Sequence, residues 1–268
     1  MTATQKVIKY CAVAFAVFLI ISIVTGILGA VSGLSFFCNG KRVVGESRSY
    51  AVTGTVESLE MDLSGARLTV RTGDGFSVES NHKYLTLENE EGQLQIKEEH
   101  PAFGFYNGSV QITLTVPEDF TFDKVHIAAG AGEVKIDSLL TDKLFLDLGA
   151  GEVSIDRLIA NKKAEINSGA GDLKIKGGEL ANLKLDMGIG EVDMRSVLTG
   201  DCKIDIGVGE LNLDLIGTSR DYSIALDKGV GDALLDGRKM QDDEIYGTGD
   251  TAIEIDGGVC AVKIEFDE

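Results

Sequence analysis

The chain has 268 residues, of which 33 are glycine and only 2 proline, and it contains no tryptophan. Its 43 acidic side chains outnumber 25 basic ones; leaving out Lys6 and Lys9, residues 41–268 hold all 43 acids against 23 bases, a net charge of −20. Acidity on that scale excludes nucleic-acid binding by counterion release. Much glycine with little proline excludes a Pro-rich linker and favours tight turns between strands that use every backbone N–H.

After a short tail, residues 1–9, the chain is uncharged from Tyr10 to Phe37. A bilayer core is crossed by about 20 apolar residues in a helix, and this run exceeds the roughly 7–15 apolar residues of a cleaved signal. Phe36 and Phe37 stand where a lipoprotein signal ending at Cys38 would need small residues. Residues 10–37 therefore predict an uncleaved transmembrane helix, with the lipid bilayer as partner. Lys6 and Lys9 before the span nearly balance Lys41, Arg42 and Arg48 after it, so basic flanks do not set its direction. An anionic inner leaflet repels so acidic a domain, which predicts a single-pass protein with its domain outside the cytoplasm.

Residues 38–55, with Gly45 and Gly54 and no long apolar run, read as a polar stalk. Residues 56–123 read as an N-terminal β cap. Leu59 to Val70 alternates, Tyr84 to Lys97 reads as a hairpin turning at Glu91-Gly92, and Val110 to Val116 is a strand stopped by Pro117. Between them, Phe103, Phe105 and Tyr106 form an aromatic loop that would shield the open end of a stack or offer a contact surface.

Residues 124–268 are dominated by self-similarity. Gly-x-Gly-acid recurs at Gly130, Gly149, Gly169, Gly188, Gly207 and Gly229, in steps of 19, 20, 19, 19 and 22 residues. Aliphatic residues alternate on both sides of each copy, as half-buried strands require. A seventh, decayed copy closes the chain, with Cys260 for the second glycine and Ala261 for the acid. One such unit cannot bury its apolar row alone, so the spacing predicts an all-β solenoid or roll of about seven stacked two-strand coils. An antiparallel sandwich is the competing fold. The decayed copy and the acidic residues after Lys263 read as a charged end that blocks further stacking, so the repeat domain is expected to be monomeric.

These features together resemble the bacterial β-strand repeat family of candidate adhesins, a domain family of unknown function. The features are a membrane span, a degenerate first strand pair, a strand ending at Val116-Pro117, and repeated aliphatic Gly-x-Gly-acid units, and the resemblance covers roughly residues 55–266. It implies a β-repeat fold and a surface location. It supplies no catalytic or binding residues, and no cofactor.

Two acidic columns flank the glycine turn. Asp147, Asp186 and Asp205 lie two residues before a first glycine, and Glu152, Glu191 and Glu210 directly after a second. Carboxylates beside glycine turns suit a calcium-binding roll, but those rolls use a different nonapeptide, and a solvated acidic edge is the preferred reading. No catalytic residues are assigned. His82, His100 and His126 lack metal-ligand spacing, His126 should point outward from a strand, and Cys202 and Cys260 read as small structural residues. The expected function is a non-enzymatic, membrane-anchored cell-envelope module, with a polymerising cytoplasmic-side scaffold and a calcium roll as alternatives.

Overall fold

The computed structural model describes residues 43–99, 109–241 and 244–267, and of Lys228 only the backbone. The expected membrane span 10–37 and the aromatic residues Phe103, Phe105 and Tyr106 lie outside these. The described residues contain no helix, and so none long and apolar enough to cross a membrane. In chain order the strands are β1 (Val44–Ala51), β2 (Ser58–Leu63), β3 (Arg67–Gly73), β4 (Ser77–His82), β5 (Leu85–Glu90), β6 (Gln93–Glu98), β7 (Gln111–Pro117) and β8 (Thr121–Ile175). There follow β9 (Gly178–Ala181), β10 (Leu183–Thr199), β11 (Asp201–Ile216), β12 (Tyr222–Val230), β13 (Ala233–Leu235), β14 (Arg238–Lys239), β15 (Ile245–Gly247) and β16 (Thr251–Asp267). β8 is long because its chain turns three glycine corners while its extended pairing continues.

The coils stack in parallel and in register. Leu185 lies level with Ile166 on one side and Ile204 on the other, and Val192 with Leu173 and Leu211. Alternation assigns the faces as the sequence predicts: Leu144, Ile155, Ile166, Leu185, Ile204 and Leu211 are wholly buried, while Asp156 and Lys184 face water. Each fully buried aliphatic side chain contributes about 1.5–3 kcal/mol relative to exposure, so each level of the stack is held by its inward row together with ladder bonds to both neighbours.

The stack extends further at its N-terminal end than the expected cap allows. β2 lies between β6 and β8, and β3 between β7 and β8, all in parallel. Residues 58–73 thus form a full level, and β6 and β7 the next one out. Small residues make this possible without a double glycine: Gly130 packs on the Ser64 carbonyl and Gly132 on that of Ala66. Glu98, nearly buried, closes the corner ladder here, its carboxylate accepting from the amides of Ser64 (2.5 Å) and Gly65 (3.3 Å). Antiparallel strands finish this end, β4 on β7, β1 on β4 and β5 on β6. The expected stalk is corrected in part, because residues 44–51 form the edge strand β1.

The C-terminal copy is also misplaced by the sequence reading. It is not the end of the stack: β16 lies between β11 and β12, parallel to both. The outer level is built from β12 and β13, with β15 antiparallel on β12 and β14 antiparallel on β13. Blunting of this end therefore falls to short antiparallel strands, and the acids after Lys263 do not supply it.

Candidate functional site

The glycine corners make one continuous edge. A Cβ at the first glycine of each corner would meet the carbonyl oxygen of the level before it, running from Ser64 through Gly130, Gly149, Gly169, Gly188, Gly207 and Gly258 to Gly229. At the second glycine the backbone takes φ of +135° to +152°, as at Gly171 and Gly190, which other residues rarely adopt. Cys260 does without it: its φ is not positive, and its side chain is buried at that corner.

With no side chains along the first-glycine column, an open groove of about 950 Å³ runs from Asp62 and Ser64 to Asp256 and Gly258. Leu148, Met187 and Ile206 contribute apolar surface to it, and Asp147, Asp186, Asp205 and Asp256 one acidic rim. The other candidate acids, Glu152, Glu191 and Glu210, are exposed beyond the corner and do not line the groove. The two acidic columns suggested as calcium ligands are therefore parted by the turn itself. Among the described residues, no group of three or more His, Cys, Asp or Glu side chains is arranged to hold a metal ion.

Register puts like charges directly opposite one another along the rim, which is unfavourable unless something separates them. Polar side chains do so at the N-terminal half. Asn167 donates to Asp147 (2.7 Å), and His126, half exposed as expected, approaches the same carboxylate at 2.8 Å; both hold its pKa below the ordinary value. Farther along, Asp186, Asp205, Asp256 and Asp227 follow one another without interruption. Lys184 holds Asp186 at 2.8 Å and Lys203 holds Asp256 at 2.6 Å, and each lowers its partner's pKa. Asp205, between them, is pushed up to about 6, first by partial loss of water and then by shared hydrogen bonds to Asp186 and Asp256. The sequence showed the column but not its order: Asp256 lies beside Asp205 only through the insertion of β16, in the place that chain order would give to Asp227.

The pH consequence is specific. A carboxyl raised above its unfolded value of about 3.9 contributes stability that is fully present below that value and lost as pH rises through about 6. The lowered Asp186 and Asp256 act oppositely, losing their contribution as pH falls. Asp205→Asn keeps a donor between its neighbours and removes the charge, as Asn167 does naturally beside Asp147. Urea titration should therefore find this variant close to wild type near pH 4.5 and more stable than wild type near pH 7.5. A gain confined to the acid side would contradict the shared-proton arrangement.

Comparison with known proteins matches the model of the Toastrack DUF4097 family to residues 56–250. No curated protein matches the chain. Among solved structures, a candidate cell adhesion protein from Clostridium sporogenes is 17% identical, covering 83% of this chain and 99% of its own, with a TM-score of 0.39. A candidate adhesin from Bacteroides fragilis is 13% identical, covering 84% and 100%, with a TM-score of 0.34. A candidate lipid binding protein from Parabacteroides distasonis is 18% identical, covering 83% and 99%, with a TM-score of 0.38.

Proposed function

This chain belongs to the Toastrack DUF4097 family, and we propose that it is a non-enzymatic cell-envelope module, anchored through residues 10–37 and displaying its β stack outside the cytoplasm for adhesion, structure or sensing. The observation that carries this reading is the unbroken edge. Its charged groups run in columns along the stack, level by level, and do not converge on one point as general acids, bases and nucleophiles must. A continuous rim above an apolar floor suits contact with an extended partner or surface. Antiparallel strands at both ends break the parallel register, which favours a displayed module over a scaffold that polymerises end to end. The charge of −20 on residues 41–268 favours the side away from the anionic leaflet.

Sidedness is the decisive experiment. In bacteria producing the full chain with Cys11 and Cys38 replaced by serine, Asp156→Cys supplies one exposed thiol on the repeat domain. A membrane-impermeant maleimide should label it in intact cells to the same extent as after lysis. Labelling only after lysis would place the domain inside and favour the scaffold.

A further inference from the structure

The stack departs from chain order where β16 enters between β11 and β12. Through β16 the two flanking strands already share one register. Asp205, Asp256 and Asp227 are level, and so are Ile204, Ile255 and Leu226. Without β16, β12 could close on β11 with no shift, setting Gly229 over Gly207. β12 carries the standard turn, Gly229 to Asp232, whereas the strand that separates it from β11 is the decayed one. The link from β11 to β12, residues 217–221, spans two levels, where the link from β10 to β11 is Gly200 alone. β16 is joined to the outer level through residues 248–250, held by Thr248 N to Ser219 O (3.0 Å) and Gly249 N to Tyr222 O (3.0 Å).

We infer that the space between β11 and β12 is a strand-acceptor site, filled by residues 251–267 of the same chain or by the same segment of a second copy. The occupant is this chain's own sequence because contacts on β16 fix its identity and level. Asp256 meets Lys203 at 2.6 Å, and Asp267 accepts from Arg195 Nε (2.7 Å), two levels away on β10. Exchange between two copies preserves every ladder bond and buried side chain, so the balance depends on protein concentration against the local concentration of the tethered strand. While the site is open, β12 covers the exposed row of β11 in the same register, which lowers the barrier to exchange. The product is a closed, reciprocal dimer, since each copy both gives and receives one strand.

Asn212 and Lys263 face each other across β11 and β16, within the Cα separation a disulfide needs. Two full-length chains, both with Cys11→Ser and Cys38→Ser, are purified in mild detergent, one carrying Asn212→Cys and the other Lys263→Cys. They are mixed at high concentration, taken through mild urea and back, and oxidised. A covalent heterodimer is expected on a non-reducing gel. A control mixture of Glu191→Cys and Glu210→Cys, exposed neighbours on β10 and β11 that stay within one chain, should give several-fold less. The double variant Asn212→Cys/Lys263→Cys in one chain, diluted, should form an internal bond, which shows that the positions meet in the folded protein. An internal bond with no heterodimer from the mixture would overturn the inference, as would equal heterodimer from the control pair.

Discussion

Replacing Gly209 by alanine is expected to unfold the repeat domain under conditions where the wild-type chain is stable. Gly209 sits at φ +146°, and a Cβ there falls within the carbonyl oxygen of Gly190. Alanine would need a backbone conformation that is essentially reserved for glycine and costs about 1–3 kcal/mol and, in addition, separation of two levels about 4.8 Å apart. Neither neighbour can yield, because β10 and β16 are bonded in register on both sides of β11. Together these place the loss at about 4 kcal/mol or more, among the largest single-residue effects and comparable with a small domain's total stability. Gly75→Ala is the control. It has nothing within 4 Å of the added carbon and no positive φ, so it should be neutral or gain about 0.5 kcal/mol through the unfolded state. Urea titration of residues 41–268 compares the two, and similar midpoints would show that the corners are not close-packed.

Ile155→Asp should be as severe by a different route. Ile155 is fully buried on β8, so a carboxylate there is left among aliphatic side chains with no partner. It must stay neutral or draw water into the stack, and the expected loss is about 4–5 kcal/mol. Asp156→Ala, one residue along and facing water, removes only the ion pair to Lys176 at 2.6 Å. An exposed pair of this kind is worth about 0.2–1 kcal/mol. Thermal melts should therefore separate the two variants widely. Equal shifts would mean that the inward and outward faces are assigned wrongly.

The repeat was legible because both of its signals are local. Alternation at Leu183, Leu185, Val192 and Met194 follows from the two-residue strand period, and glycine marks corners that no side chain fits. Chain order was the misleading part. Nothing in the alternation of residues 251–267 distinguishes an outer level from an inner one, since the apolar row is the same in both. One numerical sign was present: the step from Gly207 to Gly229 is 22 residues where the others are 19 or 20. The excess lengthens the link at residues 217–221, which passes over the inserted strand. Ala261 in place of the acid fits the same position, because it separates Glu210 from Asp232 in their column.

At the other end, residues 58–73 kept the alternation but lacked the glycine pair, and so read as a cap although they form a full level. Small Ser64 and Ala66 serve where Gly130 and Gly132 serve above them. β1 escaped detection for a different reason. As an edge strand with Glu46, Ser47, Arg48 and Ser49 exposed, it buries too little to show a period. The groove was legible only as a column of aspartates. Its shape depends on missing side chains stacked across levels, and the pairing of Asp205 with Asp256 depends on the insertion of β16.

The C-terminal end of the stack depends on the insertion of β16 between β11 and β12. Methyl NOE spectra of residues 41–268, labelled at isoleucine and leucine, report contacts between adjacent levels and none across two. Ile255 should show cross-peaks to both Ile204 and Leu226, with none between Ile204 and Leu226. A direct Ile204–Leu226 cross-peak, with Ile255 in contact with only one of them, would mean that the levels follow chain order and that the stack described here is wrong at its C-terminal end.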